Sequence, residues 1–154
     1  KRLLSRHGIV EFTISLEYIN KHLNSTKPQK VLDVGAGTGR YSNALHKMGH
    51  TVTAIEYVKK NLCVLKENYP QIKAYQGSAL NLSRFDDESF DAVILFGPLY
   101  HLFGFENKLK ALTEAKRVTK KGGLIFVAYL LNNYAIIRHG FMDKNIITSI
   151  QNGI

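Results

Sequence analysis

The sequence predicts a doubly wound α/β layer, a mostly parallel sheet with helices on both faces. Three observations carry that expectation. Short, near-continuous apolar segments alternate with amphipathic ones, the pattern of strands buried on both faces between crossover helices. Glycines and the three prolines, Pro28, Pro70 and Pro98, fall at the borders between segments. No internal repeat or low-complexity tract interrupts the alternation, so right-handed crossovers lead to a single open layer.

The elements follow in order. Residues 8–24 place Ile9, Phe12, Leu16, Ile19 and Leu23 at helical spacing, and Ser25-Thr26-Lys27-Pro28 ends that helix. Lys30–Val34 is a short apolar strand, and Arg40–Met48 is a helix stopped by Gly49. Thr51–Ile55 is a strand of largely β-branched residues, and Val58–Asn68 is a helix that stops before Pro70. Ile72–Gln76 is a third strand, followed by a turn or short helix over Ala79–Leu82. Phe90–Phe96 is a fourth, strongly apolar strand. Glu106–Thr119 is an amphipathic helix with Leu109, Leu112, Ala115 and Val118 inward, ended by Gly122-Gly123. Leu124–Leu130 is a fifth strand. Within Asn132–Ile154, Ile146, Ile147 and Ile150 fit a helical face, and no sixth strand is visible.

Composition narrows the function classes. A chain of 154 residues suits one domain with a sizeable core. Hydrophobic residues at 45% and charged residues at 21% read as an ordinary globular protein. No apolar run approaches the ~20 residues of a membrane span, so no membrane partner is expected. Lys1-Arg2-Leu3-Leu4-Ser5-Arg6 leads into no long apolar stretch, so a signal peptide is not expected either. The lone Cys63 excludes a disulfide framework and any multi-cysteine metal site. His7, His22, His46, His50 and His139 show no ligand spacing, and no bound metal is expected. The expected compartment is the cytoplasm. The charge of +9 is spread from Lys1 to Lys144, which favours a solvated basic surface and leaves a nucleic-acid partner open.

Ligands of open α/β sheets bind beyond the carboxyl ends of the strands, at the point where strand order reverses. The residues at those ends are therefore the candidate site. After the first strand comes Asp33-Val34-Gly35-Ala36-Gly37-Thr38-Gly39-Arg40, in which alternate glycines allow close approach of backbone to a ligand. The helix that follows offers free N–H groups and a positive dipole end. Asp33 adds a negative charge at the same place, so a zwitterion suits the pair better than a phosphate. Glu56 ends the second strand, 17 residues after Gly39, where an acid accepts hydrogen bonds from vicinal ribose hydroxyls. Gln76-Gly77-Ser78-Ala79-Leu80 ends the third strand with a hydroxyl, free amides and a Leu side chain that suit the edge of a purine. Leu95-Phe96-Gly97-Pro98-Leu99-Tyr100-His101 ends the fourth and hangs Tyr100 and His101 over the crevice, where they orient a substrate or move a proton. The acidic turn Asp86-Asp87-Glu88-Ser89 lies at the amino end of that strand, on the far side of the sheet from the chemistry.

These residues together resemble the class I methyltransferases that use S-adenosylmethionine. Val31-Leu32-Asp33-Val34-Gly35-Ala36-Gly37-Thr38-Gly39 is similar to that family's first motif, and Glu56 falls where its ribose-binding acid lies. Ser89-Phe90-Asp91-Ala92-Val93-Ile94 and Arg117-Val118-Thr119-Lys120-Lys121-Gly122-Gly123-Leu124 match the approaches to its fourth and fifth strands. Gly97-Pro98-Leu99-Tyr100-His101-Leu102, with Arg6-His7-Gly8 upstream, resembles a bacterial subgroup with mostly unassigned, small-molecule substrates. The resemblance implies a Rossmann-like methyltransferase core, S-adenosyl-L-methionine as cofactor and methyl transfer to a small-molecule acceptor. It implies that Asp33 with Gly35, Ala36, Gly37, Thr38 and Gly39 holds the methionine end. Glu56 then holds the ribose, Ser78, Ala79 and Leu80 flank the adenine, and Phe96 and Gly97 lie near the methyl group. Tyr100 or His101 takes the catalytic part, and the helix over 8–24 lids the pocket with Phe12 and His7 as substrate contacts.

Two features depart from the family pattern. Ser78 stands where an Asp often contacts the adenine amino group. The family sheet carries further strands, one inserted antiparallel beside the fifth, which leads to the expectation of a truncated chain. A bare fifth strand is an association hazard, so dimerisation or capping by residues 132–150 is expected. The Asn/Asp-Pro-Pro-aromatic pattern of nucleobase amino methylation is absent, which lowers a DNA base as acceptor. Two rival readings remain. A nicotinamide oxidoreductase wants G-x-G-x-x-G, whereas Gly35, Gly37 and Gly39 run G-x-G-x-G. An RNA methyltransferase, or an S-adenosylmethionine-binding module without activity, is the other.

Overall fold

The structure is a computed structural model that describes residues 6–23, 26–128 and 151. In chain order the elements are α1 (Arg6–His22), β1 (Lys30–Val34), α2 (Arg40–Lys47), β2 (Thr51–Glu56), α3 (Lys59–Asn68), β3 (Lys73–Gln76), β4 (Phe90–Leu95), α4 (Pro98–His101), α5 (Phe105–Val118) and β5 (Thr119–Val127). The strands form one sheet in the order β3-β2-β1-β4-β5, and every adjacent pair is parallel. The chain thus winds outward from β1 to β3, returns to the other side of β1, and continues to β5. The doubly wound parallel layer expected from the sequence is the observed one. No helix among the described residues is long and apolar enough to cross a membrane.

Alternation along the strands builds two cores. On one face Val31, Ala54, Ala92 and Ile94 pack under Ile19 and Leu23 from the α1 end, Tyr41 and Leu45 of α2, and Leu62 and Leu65 of α3. On the other, Leu32, Val34, Ile55, Val93 and Leu95 pack under Ala111, Ala115 and Val118 of α5 and under Ala79 and Leu82 of the β3–β4 loop. Both strand faces are buried, which is why these segments read as apolar runs rather than as alternating ones.

The element boundaries move by a residue or two at most places, and one assignment changes in kind. The expected Glu106–Thr119 helix with a Gly122-Gly123 stop instead ends at Val118, and β5 begins directly at Thr119. Thr119 pairs with Phe90 and Leu124 with Ala92, so residues 120–123 bulge out opposite Asp91. A Cβ on Gly123 would lie 2.8 Å from the Asp91 carbonyl oxygen, so Gly123 serves a close backbone approach inside a strand, while Gly122 supplies the positive φ of +75° that the bulge needs. The Gly97-Pro98 break is followed by the single helical turn α4, with Pro98 in its first turn, where a missing N–H costs nothing. The region over Ala79–Leu82 is a turn closed by a Ser78–Asn81 bridge. The end of the predicted fifth strand and the expected capping by residues 132–150 lie outside the described residues.

Gly39 caps α2 with φ +85°, and a Cβ there would approach Leu65 Cγ of α3 to 2.7 Å. Gly39→Ala therefore combines left-handed strain with overpacking and should lower stability by about 2–4 kcal/mol. Urea unfolding measures it, and an unchanged midpoint would show that α3 retreats freely.

Candidate active site

Strand order reverses between β1 and β4, and the two crossovers leave a crevice beyond the carboxyl ends. A cavity of about 560 Å³ opens there. The β1 turn supplies Gly35 and Gly37, the β2 tip Glu56, and the β3 tip Gly77, Ser78, Ala79 and Leu80. The β4 side supplies Gly97, Pro98, His101 and Leu102. Four strand tips therefore share one space, as the sequence pattern required.

The glycine turn is locked from below. Gly35 and Ala36 both donate their N–H groups to the Ile55 carbonyl oxygen, at 2.8 and 3.1 Å, which carries the β1–β2 pairing past the end of the ladder. Gly35 has φ +75°, and a Cβ there would lie 2.6 Å from Pro98 Cδ. Glycine is thus required twice over, by conformation and by the contact that joins the β1 and β4 tips.

Glu56 ends β2 and is 5% exposed. Its Oε2 accepts the Gly37 N–H at 2.7 Å, and its Oε1 accepts the Val58 N–H at 2.8 Å and the Asn61 side-chain amide at 3.4 Å. A carboxylate has about four acceptor positions. Two main-chain donors fix its orientation, and the long Asn61 contact is the one most easily exchanged for a ligand hydroxyl.

Asp33 behaves differently. It alternates with Leu32 and Val34 and so faces α2, where its Oδ2 accepts the Ser42 hydroxyl at 2.6 Å. It is 3% exposed and is not among the residues that line the cavity. Burial pushes its carboxyl up to about 6, against the opposing pull of Ser42 and with further help from the Glu56 charge. The tip of β1 thus carries an acid that is costly to ionise, packed behind the glycine turn.

The remaining expected residues divide between lining and support. Ala79 is buried in the wall, and Ser78 Oγ accepts the Leu80 N–H at 3.2 Å, which stiffens the turn they share. Ala36 and Phe96 face the α1–α3 core, with the Phe96 ring 5.1 Å from that of Tyr41, so they support rather than line the cavity. Thr38 and Gly39 belong to the turn but not to the lining. Of the pair on α4, His101 lines the cavity and Tyr100 does not. Phe12 packs on Tyr41 at 4.8 Å under the Arg40 guanidinium, 4.0 Å from its ring, and is not part of the lining; His7 lies in the first turn of α1. The acidic turn sits at the amino end of β4, with Asp87 bonded to Arg117 at 2.7 Å.

The sequence pattern missed Tyr57, Val58 and Asn61 as lining residues. Tyr57 and Val58 follow the acid directly, and proximity to Glu56 was the available signal. Asn61 reaches the site only because α3 turns back over the β2 tip.

The chain is similar to several known proteins. A family model described as a methyltransferase domain matches residues 32–127. The demethylmenaquinone methyltransferase of Renibacterium salmoninarum is 44% identical over 101 residues, covering 65% of this chain and 40% of the relative. The chain therefore spans less than half the length of that relative. The PH0226 protein of Pyrococcus horikoshii superimposes with a TM-score of 0.68 at 25% identity, over 81% of this chain and 60% of that one. A TehB-like SAM-dependent methyltransferase of Corynebacterium glutamicum shares the fold, with a TM-score of 0.65 at 18% identity, over 80% and 68% of the two chains.

The Asp33 environment has a measurable consequence. Its folded pKa lies above the unfolded value, so the folded state holds the extra proton, and stability falls as pH rises from about 4 to about 6. Asp33→Asn keeps an acceptor for Ser42 and removes the charge. It should gain about 1–3 kcal/mol over the parent above pH ~7 and little near pH ~4. Urea unfolding at both ends of that window measures the gap, and a gap independent of pH would refute the assignment.

Proposed function

The chain belongs to the methyltransferase-domain family, and from that premise we propose that it transfers a methyl group from S-adenosylmethionine to a small-molecule acceptor. The observation that carries this reading is the buried Glu56 carboxylate, tied to the glycine turn in the middle of a cavity that four strand tips enclose. The residues fit the cofactor's three parts. Gly37 presents bare backbone, with nothing within 4 Å of where its Cβ would stand, so the turn admits the amino-acid end. Glu56 supplies acceptors for a diol at mid-cavity. Ser78, Ala79, Leu80 and Val58 line the same cavity and supply a hydroxyl and apolar side chains for a purine.

When bound, the cofactor would supply a methyl group activated on a sulfonium, whose sulfur–carbon bond would break as the acceptor–carbon bond forms, with the neutral thioether as leaving group. The protein's part is to bind, orient and exclude water, which contributes up to ~7–11 kcal/mol by positioning alone. The positive dipole end of α2 favours the carboxylate end, while the Gly35, Ala36 and Gly37 amides hold the turn itself in place through Ile55 and Glu56. Asp33, behind that turn, supplies negative potential toward the ammonium end. His101, on the cavity wall and exposed, is the group we assign to receive the acceptor's proton; the Tyr100 N–H donates to the Gly97 carbonyl oxygen at 3.2 Å and so closes the turn before it. The name of the Renibacterium relative supports a small molecule as acceptor. The G-x-G-x-G spacing and the acid behind it count against a nicotinamide cofactor. The cytoplasm remains the compartment of this reading.

Titration calorimetry tests the proposal. S-adenosylmethionine or its demethylated product should bind and NADH should not. Glu56→Ala should weaken that binding by about 1–3 kcal/mol, through loss of charged hydrogen bonds. Glu56→Gln, which keeps one acceptor oxygen for the turn, should lose less. Binding of NADH, or unchanged affinity in both variants, would remove the cofactor assignment.

A further inference from the structure

The wall that takes the purine is held by residues that do not touch the cavity. Ser78, Ala79 and Leu80 belong to the loop over 77–89, which lies outside the main sheet. A surface groove of about 670 Å³ lies on the other side of this loop, and Leu80 lines both spaces. Leu80 thus borders both spaces while it also packs against the core under α5.

Two side chains of α5 fasten it. Glu114 Oε2 accepts the Leu82 N–H at 2.6 Å, two residues beyond Leu80. The same carboxylate takes a two-point bond from the Arg117 guanidinium, at 2.8 Å from Nε and 3.1 Å from Nη2. Arg117 Nη1 in turn donates to the Phe85 carbonyl oxygen at 2.9 Å and to the Asp87 carboxylate at 2.7 Å. A forked guanidinium–carboxylate pair has a preset geometry, so it fixes position as well as contributing energy. Between Leu82 and the cavity, the turn is internally stiff, because Ser78 accepts the amides of Leu80 and Asn81. A shift at Leu82 is thus passed to Leu80 rather than absorbed.

We propose that Glu114 and Arg117 are positioning residues for the purine slot, which set cofactor affinity through the Leu82 amide without touching the cofactor. The inference rests on the cofactor reading above, and the test separates the two. Glu114→Ala, Glu114→Gln and Arg117→Lys are compared with the parent by calorimetry. The probes are S-adenosylhomocysteine and 5′-methylthioadenosine, which lacks the amino-acid half. Thermal melting is recorded alongside.

Glu114→Ala should weaken both probes by the same factor, about tenfold for one charge-assisted hydrogen bond. KM for the cofactor should rise with kcat at saturation unchanged. Glu114→Gln, whose amide oxygen still accepts from Leu82, should recover most of the affinity. Arg117→Lys, which loses the fork, should fall between the two, and it carries the test if Glu114→Ala does not fold. A lowered melting temperature with unchanged affinity in Glu114→Ala and Arg117→Lys would overturn the proposal, since that is the signature of a merely structural pair. Loss of affinity for S-adenosylhomocysteine alone would also overturn it, because the loop faces only the nucleoside half. A parent protein that binds neither probe would instead bring down the cofactor reading itself, and the positioning role with it.

Discussion

The hydrogen bonds from the Gly37 and Val58 amides to the buried Glu56 carboxylate are the constraint on which the site depends. Charge-assisted bonds of this length are roughly twice as strong as neutral ones. They span from the tip of β2 to the turn after β1 and to the start of α3. The turn cannot swing away without leaving a buried acid unsatisfied, and an unsatisfied buried charge costs more than the bonds it replaces. The ligand crevice is therefore organised before any ligand arrives, which spares binding the cost of ordering a glycine-rich loop.

The same economy holds at the β1–β4 junction. Gly35 and Pro98 meet at a distance that no Cβ permits, and a Cβ on Gly97 would lie 3.2 Å from the Gly35 carbonyl oxygen. Close packing of two loop backbones brings α4, with His101, to the rim. Gly35 thus links the position of the glycine turn to that of α4. Only the glycines leave room for both.

Against these stabilising contacts stands Asp33. A carboxyl held under α2 with a pKa near 6 is a cost to the folded state at neutral pH, offset in part by the Ser42 hydroxyl. A protein selected for stability alone would place an apolar residue between Leu32 and Val34. Retaining an acid there is the kind of local conflict that accompanies function. On the opposite face, Glu114 and Arg117 show the complementary arrangement, in which charge is spent on fixing a loop rather than on contact with a ligand.

By itself the sequence determined the layer architecture, the order of strands and helices along the chain, and which strand ends border the cavity. Apolar runs such as Phe90–Leu95 and glycines beside acids are local signals that need no tertiary context. It also pointed to Glu56, an acid at the tip of the second strand, and that residue lines the cavity. Only the tertiary structure decided which way each neighbour points. It turned Asp33 to Ser42, put His101 rather than Tyr100 on the wall, converted Gly122-Gly123 from a helix stop into a bulge, and brought Asn61 to Glu56. Those outcomes depend on strand alternation combined with the packing of α2, α3 and α5. Separations such as that between Leu82 and Glu114 are closed by the fold and leave no mark in local spacing.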